Sequence, residues 1–149
     1  MLNKIGLWSE EAEELVFLTG LTESKYHYIR QLKNGPAVSV FQVEPASGVD
    51  ICLNYLRYRK TLLANIASSV YIDRDSLIDP SEERMRDMLW MNMGLAIAMC
   101  RLTYRRSPLP LPKVRDLEGM AKMWKKVYNT HLGKGTVEHF IKASKQRQD

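Results

Sequence analysis

One segment constrains the fold more than any other. The stretch Met88 to Cys100 is apolar on nearly every side when it is read as a helix. Such a helix has no face suited to water, so other elements must cover it. It is interrupted by Asn92 and is too short to cross a bilayer. The stretch therefore predicts a helix buried at the centre of an all-α domain.

A strong helix-start signal lies upstream of this stretch. Asp79 is a good N-cap, Pro80 suits the first turn, and acidic residues follow. We therefore expect one helix from Asp79 to about Arg105. Methionine fills irregular gaps in cores, so the methionines of this helix, together with Trp90, are interpreted as core residues.

Helical periodicity and stop signals outline the other elements. Ser9 is expected to cap a first helix that reaches Leu18 and ends or bends at Gly20. Further helices are expected over 22–31, 49–60, 62–70, 114–128 and 136–144, with Trp124 in the core. The segments expected outside helices are an irregular loop at 37–47, a stiff connector at 107–112 and a frayed tail at 145–149.

The length and composition of the chain indicate how many domains it forms. The chain has 149 residues, of which 45% are hydrophobic and 26% charged. These values are typical of one globular domain, over 1–149, with a core of its own. Cys52 and Cys100 have no metal-site spacing, so we expect two buried free thiols, no metal and no cofactor. The N-terminal segment carries acidic residues where a signal peptide would be apolar, so no secretory cleavage is expected.

The net charge of +5 limits the partners. It suits an anionic partner, which could be nucleic acid, a membrane surface or an acidic polymer such as a cell-wall glycan. The basic residues are scattered over several helices rather than gathered on one, and this disfavours a nucleic-acid binder.

Three short blocks stand in a suggestive order along the chain. Glu23-Ser24 follows the first helix, a loop from Gly35 to Ser47 contains Phe41-Gln42, and Tyr128-Asn129 comes late. This order resembles the lysozyme-like superfamily of soluble lytic transglycosylases and goose-type lysozymes. In that family a Glu-Ser pair precedes a Gly-x-x-Gly-Leu-Met-Gln-Ile-x-Pro-x-Thr loop and an Ala-x-x-Tyr-Asn-x-Gly segment. More narrowly, the blocks resemble short proteins encoded by tailed bacteriophages.

The resemblance implies a single lysozyme-like domain that acts on the glycan strands of peptidoglycan within a phage particle. Glu23 would serve first as the acid and then as the base. Ser24, Gln42, Tyr128 and Asn129 would bind the glycan. The chemistry is consistent with this role, because a glutamate held beside apolar groups keeps its proton near neutral pH.

Two departures from the family pattern favour a different function. Ser39 stands where the family loop has a glycine, and His131 stands where a glycine follows Tyr-Asn-x. They favour a catalytically silent structural component of the virion, such as a tail, baseplate or head–tail part, whose partners are virion proteins or further copies of itself. Glu23 itself favours an enzyme. Glu44 is a further candidate, as a second carboxylate.

Overall fold

The computed structural model describes residues 1–146, which form seven α-helices and contain no β-strand. The helices are α1 (Glu10–Ser24), α2 (Pro45–Asn54), α3 (Lys60–Val70), α4 (Glu82–Met91), α5 (Met93–Arg105), α6 (Leu117–Met123) and α7 (Val137–Lys145). Short 3₁₀ turns lie at Leu32–Asn34, Leu56–Tyr58 and Arg74–Leu77. The expected all-α class is confirmed.

Helix α5 lies at the centre of the fold. It packs against α1, α2, α3 and α4, and against the turn that follows α6. Most of its residues are buried, including Tyr104 and Arg101, whose side chains end in polar groups. The buried central helix expected from the apolar stretch is therefore present, but it begins later than expected.

The prediction of a single helix from Asp79 to Arg105 is wrong, because two helices, α4 and α5, cover this segment. The chain leaves helical geometry at Asn92, which has an extended backbone with φ −127° and ψ 97°. Its Oδ1 accepts a hydrogen bond of 3.0 Å from Leu95 N, and its Nδ2 donates one of 2.8 Å to Val70 O. Asparagine side chains compete in this way with helical hydrogen bonds. The first of the two helices is capped by Ser81 instead of Asp79.

The expected core role of the aromatic and methionine residues holds only in part. Met85 and Met99 are fully buried, and so is Trp124. Trp90 is 37% exposed and Met91 is 83% exposed, so their expected burial is wrong. Both lie directly before the break between α4 and α5, whereas the neighbouring Leu89 is buried.

Helix α1 begins as expected and ends later. The Ser9 hydroxyl accepts a hydrogen bond of 3.1 Å from Ala12 N. The helix continues through Gly20, where the ring of Tyr26 lies so close that a Cβ would not fit. Lys25 and Tyr26 then adopt left-handed backbone, with φ 54° and 58°, so the helix expected over 22–31 is wrong.

The C-terminal third contains an unusual turn. Asp116 caps α6, which continues at Trp124 as a wider π-helical turn to Asn129. This turn replaces the regular helix expected over 114–128. Thr136 caps α7 as predicted. Lys145 still belongs to α7, so the frayed tail expected at 145–149 is wrong at that residue, and 147–149 lie outside the described residues.

Candidate functional site

A cleft of about 1000 Å³ opens where three parts of the chain meet. These parts are the C-terminal end of α1, the loop before α2, and the π-helical turn with the loop that follows it. All five residues predicted to form the site line this cleft, namely Glu23, Ser24, Gln42, Tyr128 and Asn129. The structure therefore brings together residues that are up to about a hundred positions apart.

Glu23 lies in the last turn of α1 and is partly buried. Its Oε1 accepts a hydrogen bond of 2.9 Å from Trp124 Nε1. Burial raises the pKa of Glu23 to about 7, because the ionised form loses solvation, while the indole hydrogen bond acts in the opposite direction. Near neutral pH the carboxyl group therefore exists in both protonation states.

Trp124 is buried, as predicted for a core residue, but it also supports the candidate site through its hydrogen bond to Glu23. Its ring packs 5.5 Å from the ring of Phe140, centroid to centroid, and closely against Gly135, where a Cβ would not fit. The one sequence signal for its role is its position in the same helical segment as Tyr128, four residues earlier. Packing on both sides fixes the indole and thereby the Glu23 carboxyl group.

Ser24 is buried and connects α1 to the loop before α2. Its hydroxyl donates a hydrogen bond of 2.6 Å to Val40 O and accepts one of 3.1 Å from Tyr26 N. The side chain thus lines the cleft while its hydroxyl is engaged within the protein. These hydrogen bonds hold the loop next to Glu23.

The loop that carries Gln42 depends on left-handed backbone. Ser39 has φ 69° and Gln42 has φ 50°. Ser39 Oγ accepts a hydrogen bond of 3.2 Å from Phe41 N, and Gln42 Nε2 donates one of 2.8 Å to Ser39 O. Ser39 thus has a backbone conformation that glycine adopts without strain.

Tyr128 joins the third block to this loop. Its hydroxyl donates a hydrogen bond of 2.7 Å to Phe41 O, and its ring stacks on Tyr104 at 5.4 Å between centroids. The Tyr104 hydroxyl in turn lies 2.7 Å from Thr19 Oγ1 in α1. Burial raises the pKa of both tyrosines well above the usual value, so both phenols are neutral at neutral pH.

Asn129, which follows Tyr128, also lines the cleft. Its Oδ1 accepts a hydrogen bond of 2.7 Å from Lys125 Nζ, which also donates 2.9 Å to Gly133 O. The next residue, Thr130, has φ 61° and ψ −179°, a region that is nearly restricted to glycine. His131 is exposed and is not among the lining residues.

His139 and Glu44 are among the other residues that line the cleft. His139, which sequence reasoning missed, has Nε2 at 3.3 Å from Thr22 O and its ring 6.5 Å from that of Trp124. Glu44 is exposed at the rim and provides the second cleft carboxylate.

Residues 1–146 contain neither a candidate metal site nor a helix that could cross a membrane. Within residues 1–146, no group of three or more His, Cys, Asp or Glu residues is placed to hold a metal ion. Cys52 and Cys100 are buried free thiols, as predicted. No helix in the same range combines the length and the apolar character needed to cross a membrane.

Comparison with known proteins finds no match. No family model matches the chain, and neither a curated protein nor a solved structure matches it. A functional assignment therefore depends on the cleft itself and on the three sequence blocks.

Proposed function

We propose that the protein cleaves the glycan strands of peptidoglycan, as a lytic transglycosylase or muramidase in which Glu23 is the single acid/base. The observation that carries this proposal is the Glu23 carboxyl group, partly buried in a large cleft with a pKa raised to about 7. The resemblance of the sequence blocks is the basis for proposing a lysozyme-like fold and a location in the particle of a tailed bacteriophage.

In the first step, protonated Glu23 donates its proton to the glycosidic oxygen. The bond between that oxygen and the anomeric carbon breaks, and positive charge develops at the sugar. The acid must carry a proton at the pH of the reaction, and a pKa near 7 meets this requirement.

In the second step, the ionised carboxylate takes a proton from a hydroxyl group of the same sugar. The freed oxygen attacks the anomeric carbon and closes an anhydro ring, so no second carboxylate is required. Water in place of that hydroxyl would give hydrolysis. Trp124 keeps the carboxyl group oriented through both steps, because its N–H donates to Glu23 Oε1 at 2.9 Å.

The other predicted residues line the same cleft as this carboxyl group. Gln42, Tyr128 and Asn129 form the walls along which a glycan strand would lie. Ser24 supports the loop wall through its hydrogen bond to Val40 O. This is a positioning role, since its hydroxyl is already engaged within the protein.

A second candidate function is a catalytically silent structural component of the virion. Hydrogen bonds within the cleft favour it. Gln42 Nε2 is bound to Ser39 O, and Asn129 Oδ1 is bound to Lys125 Nζ, so polar atoms that would contact sugar are used by the protein itself. In this alternative the cleft contacts another virion protein or a further copy of the chain.

A zymogram on purified peptidoglycan distinguishes the two functions. We expect the wild type to clear the gel, the Glu23→Gln variant to leave it opaque, and the matched control Glu44→Gln to clear it. An inactive wild type would favour the structural component. Loss of clearing in Glu44→Gln as well would replace the single-carboxylate mechanism with one that uses both groups.

A further inference from the structure

Two exposed leucines lie at the opening of the cleft that contains Glu23. Leu32 is 63% exposed and Leu132 is 83% exposed, and both line the cleft. They are the two most exposed leucines within residues 1–146. They belong to segments that lie far apart in the chain, one before α2 and the other before α7.

The other exposed residues that line the cleft are polar or aromatic. Among them, Lys25, Glu44 and Lys134 carry charge and suit contact with the hydroxyl groups of a glycan. A leucine side chain makes no hydrogen bond to a hydroxyl group and is stabilised instead by contact with another apolar group. The two leucines are therefore suited to contact each other rather than the sugar.

The segment that carries Leu132, residues 130–135, is firmly attached to the site, and we call it the fixed lip. Lys125 Nζ donates hydrogen bonds of 2.7 Å to Asn129 Oδ1 and 2.9 Å to Gly133 O, so it ties this segment to the π-helical turn. Farther along, Gly135 packs against the ring of Trp124. Leu132 lies between these attachments.

The segment that carries Leu32 is attached only at its base. Around an antiparallel bridge between Arg30 and Val38, Gln31 N donates a hydrogen bond of 3.0 Å to the carbonyl of residue 37. The Arg30 guanidinium also lies over the ring of Trp90, 3.9 Å from its centroid, so the base is held to α4. The tip, residues 32–36, makes no hydrogen bond to any other element within residues 1–146, and four of its five residues are exposed.

Left-handed backbone occurs on both sides of residues 27–32. Lys25 and Tyr26 have φ 54° and 58°, and Lys33 and Asn34 have φ 62° and 59°. This conformation is strained for residues other than glycine. Segments that close over an active site turn on a few loop or element-terminal residues, and these two pairs occupy such positions.

We propose that the tip closes onto the fixed lip over a bound glycan, and that the contact between Leu32 and Leu132 keeps water away from the sugar while Glu23 acts. This inference rests on the proposed function, because the exclusion of water matters only where a glycosidic bond is cleaved. It assigns the two leucines a role in determining the product.

The product depends on which oxygen bonds to the anomeric carbon after the glycosidic bond breaks. A hydroxyl group of the same sugar gives the anhydro product, whereas a water molecule gives a product heavier by one water. In both cases the ionised Glu23 takes the proton from the attacking oxygen. A closed, water-free cleft leaves only the hydroxyl group of the sugar within reach, so the anhydro product is favoured.

The ratio of the two products tests the role of the leucines. Mass spectrometry of a peptidoglycan digest measures the ratio of anhydro ends to hydrated ends. We expect mainly anhydro ends from the wild type. The ratio should be about tenfold lower for Leu32→Ser or Leu132→Ser, the size expected when the burial of one leucine side chain is lost. The matched control, Leu109→Ser, changes an exposed leucine that does not line this cleft and should keep the wild-type ratio. A purely structural defect would lower both products together and leave their ratio unchanged.

A disulfide test detects the contact without using activity. Diamide oxidises two thiols to a disulfide and is itself reduced, and the bond forms only where the two Cα atoms come within about 7 Å of each other. We expect it to form in Leu32→Cys/Leu132→Cys. The control pair is Tyr71→Cys/Leu132→Cys, which should form none, since Tyr71 is exposed and does not line the cleft. The two native thiols are buried.

The two measurements distinguish failure of this inference from failure of the proposed function. If the wild type cleaves peptidoglycan but no disulfide forms, or if the leucine variants keep the product ratio of Leu109→Ser, closure is overturned and Glu23 remains the acid/base. A wild type that releases mainly hydrated ends would overturn the exclusion of water. A disulfide in a protein whose wild type cleaves nothing would support the closing contact and overturn the proposed function together with the role of the leucines in it.

Discussion

The indole N–H of Trp124 lies 2.9 Å from Oε1 of Glu23, although 101 positions separate the two residues in the chain. This hydrogen bond joins the end of α1 to the π-helical turn after α6. It holds a carboxyl group at the wall of the cleft while burial raises its pKa. Wide π-helical turns are frequent at functional sites, and here the turn presents both Trp124 and Tyr128.

Stability should depend on pH through Glu23. Its pKa is about 4.5 in the unfolded chain and about 7 in the fold, so between these values the folded state binds the extra proton. The contribution of Glu23 to the free energy of unfolding should therefore fall as pH rises from about 4.5 to 7, by at most about 3 kcal/mol. The measurement is the difference in unfolding free energy between wild type and Glu23→Gln at several pH values. Other titrating groups cancel in this difference, and a difference that stays constant across the window would contradict the raised pKa.

Trp124→Phe should move the alkaline limb of the pH–rate profile to higher pH. The indole hydrogen bond lowers the pKa of Glu23, so its removal lets that pKa rise further. The fold should also lose about 1–3 kcal/mol, because a partly buried carboxyl oxygen is left without its donor. The control is Phe140→Leu, which reduces packing in the same cluster but keeps the N–H. If the alkaline limb of Trp124→Phe stayed at the wild-type pH, or moved by the same amount in Phe140→Leu, the hydrogen bond would have no specific role.

A pair of substitutions at Ser39 tests the left-handed backbone of the loop. Ser39→Gly and Ser39→Ala both remove the hydroxyl that accepts from Phe41 N, so their difference reports the φ of 69°. The Gly variant should be more stable than the Ala variant by about 1 kcal/mol in denaturant unfolding. It should also keep or raise cleavage activity. Equal stabilities would show that the loop relaxes to another conformation at this position.

Gly94→Leu should destabilise the fold by about 1–3 kcal/mol through overpacking. A Cβ at this position would lie 3.1 Å from Val70 Cγ1 and 3.3 Å from Asn92 Oδ1, so α3 leaves little space beside the first turn of α5. The denaturant midpoint of Gly94→Leu, compared with that of Gly94→Ala, measures the effect of the larger side chain. A midpoint equal to that of the wild type would mean that Val70 moves aside freely.

The sequence predicted the helical class and the starts of α1 and α7, because caps such as Ser9 and Thr136 act locally. It did not predict the break at Asn92. That break depends on a hydrogen bond to Val70 O, which is 22 positions away, and a local pattern does not contain it.

The candidate site likewise has a part that the sequence predicted and a part that it did not. The five candidate residues were chosen from blocks that resemble a family, and the structure brings them to one cleft. The role of Trp124 and the engagement of Ser24 with Val40 were not predictable, since each depends on which carbonyl or carboxylate the fold places nearby. Buried aromatic residues at helical spacing give no sign of whether their polar atom has a partner.

Product analysis of a peptidoglycan digest tests the central claim most directly. Mass spectrometry should find fragments that end in an anhydro sugar, lighter by one water than the hydrolysis product, after incubation with the wild type. After incubation with Glu23→Gln these fragments should be absent, while circular dichroism shows the same helical content in both proteins. Release of the same fragments at the same rate by Glu23→Gln would contradict the assignment of Glu23 as the acid/base.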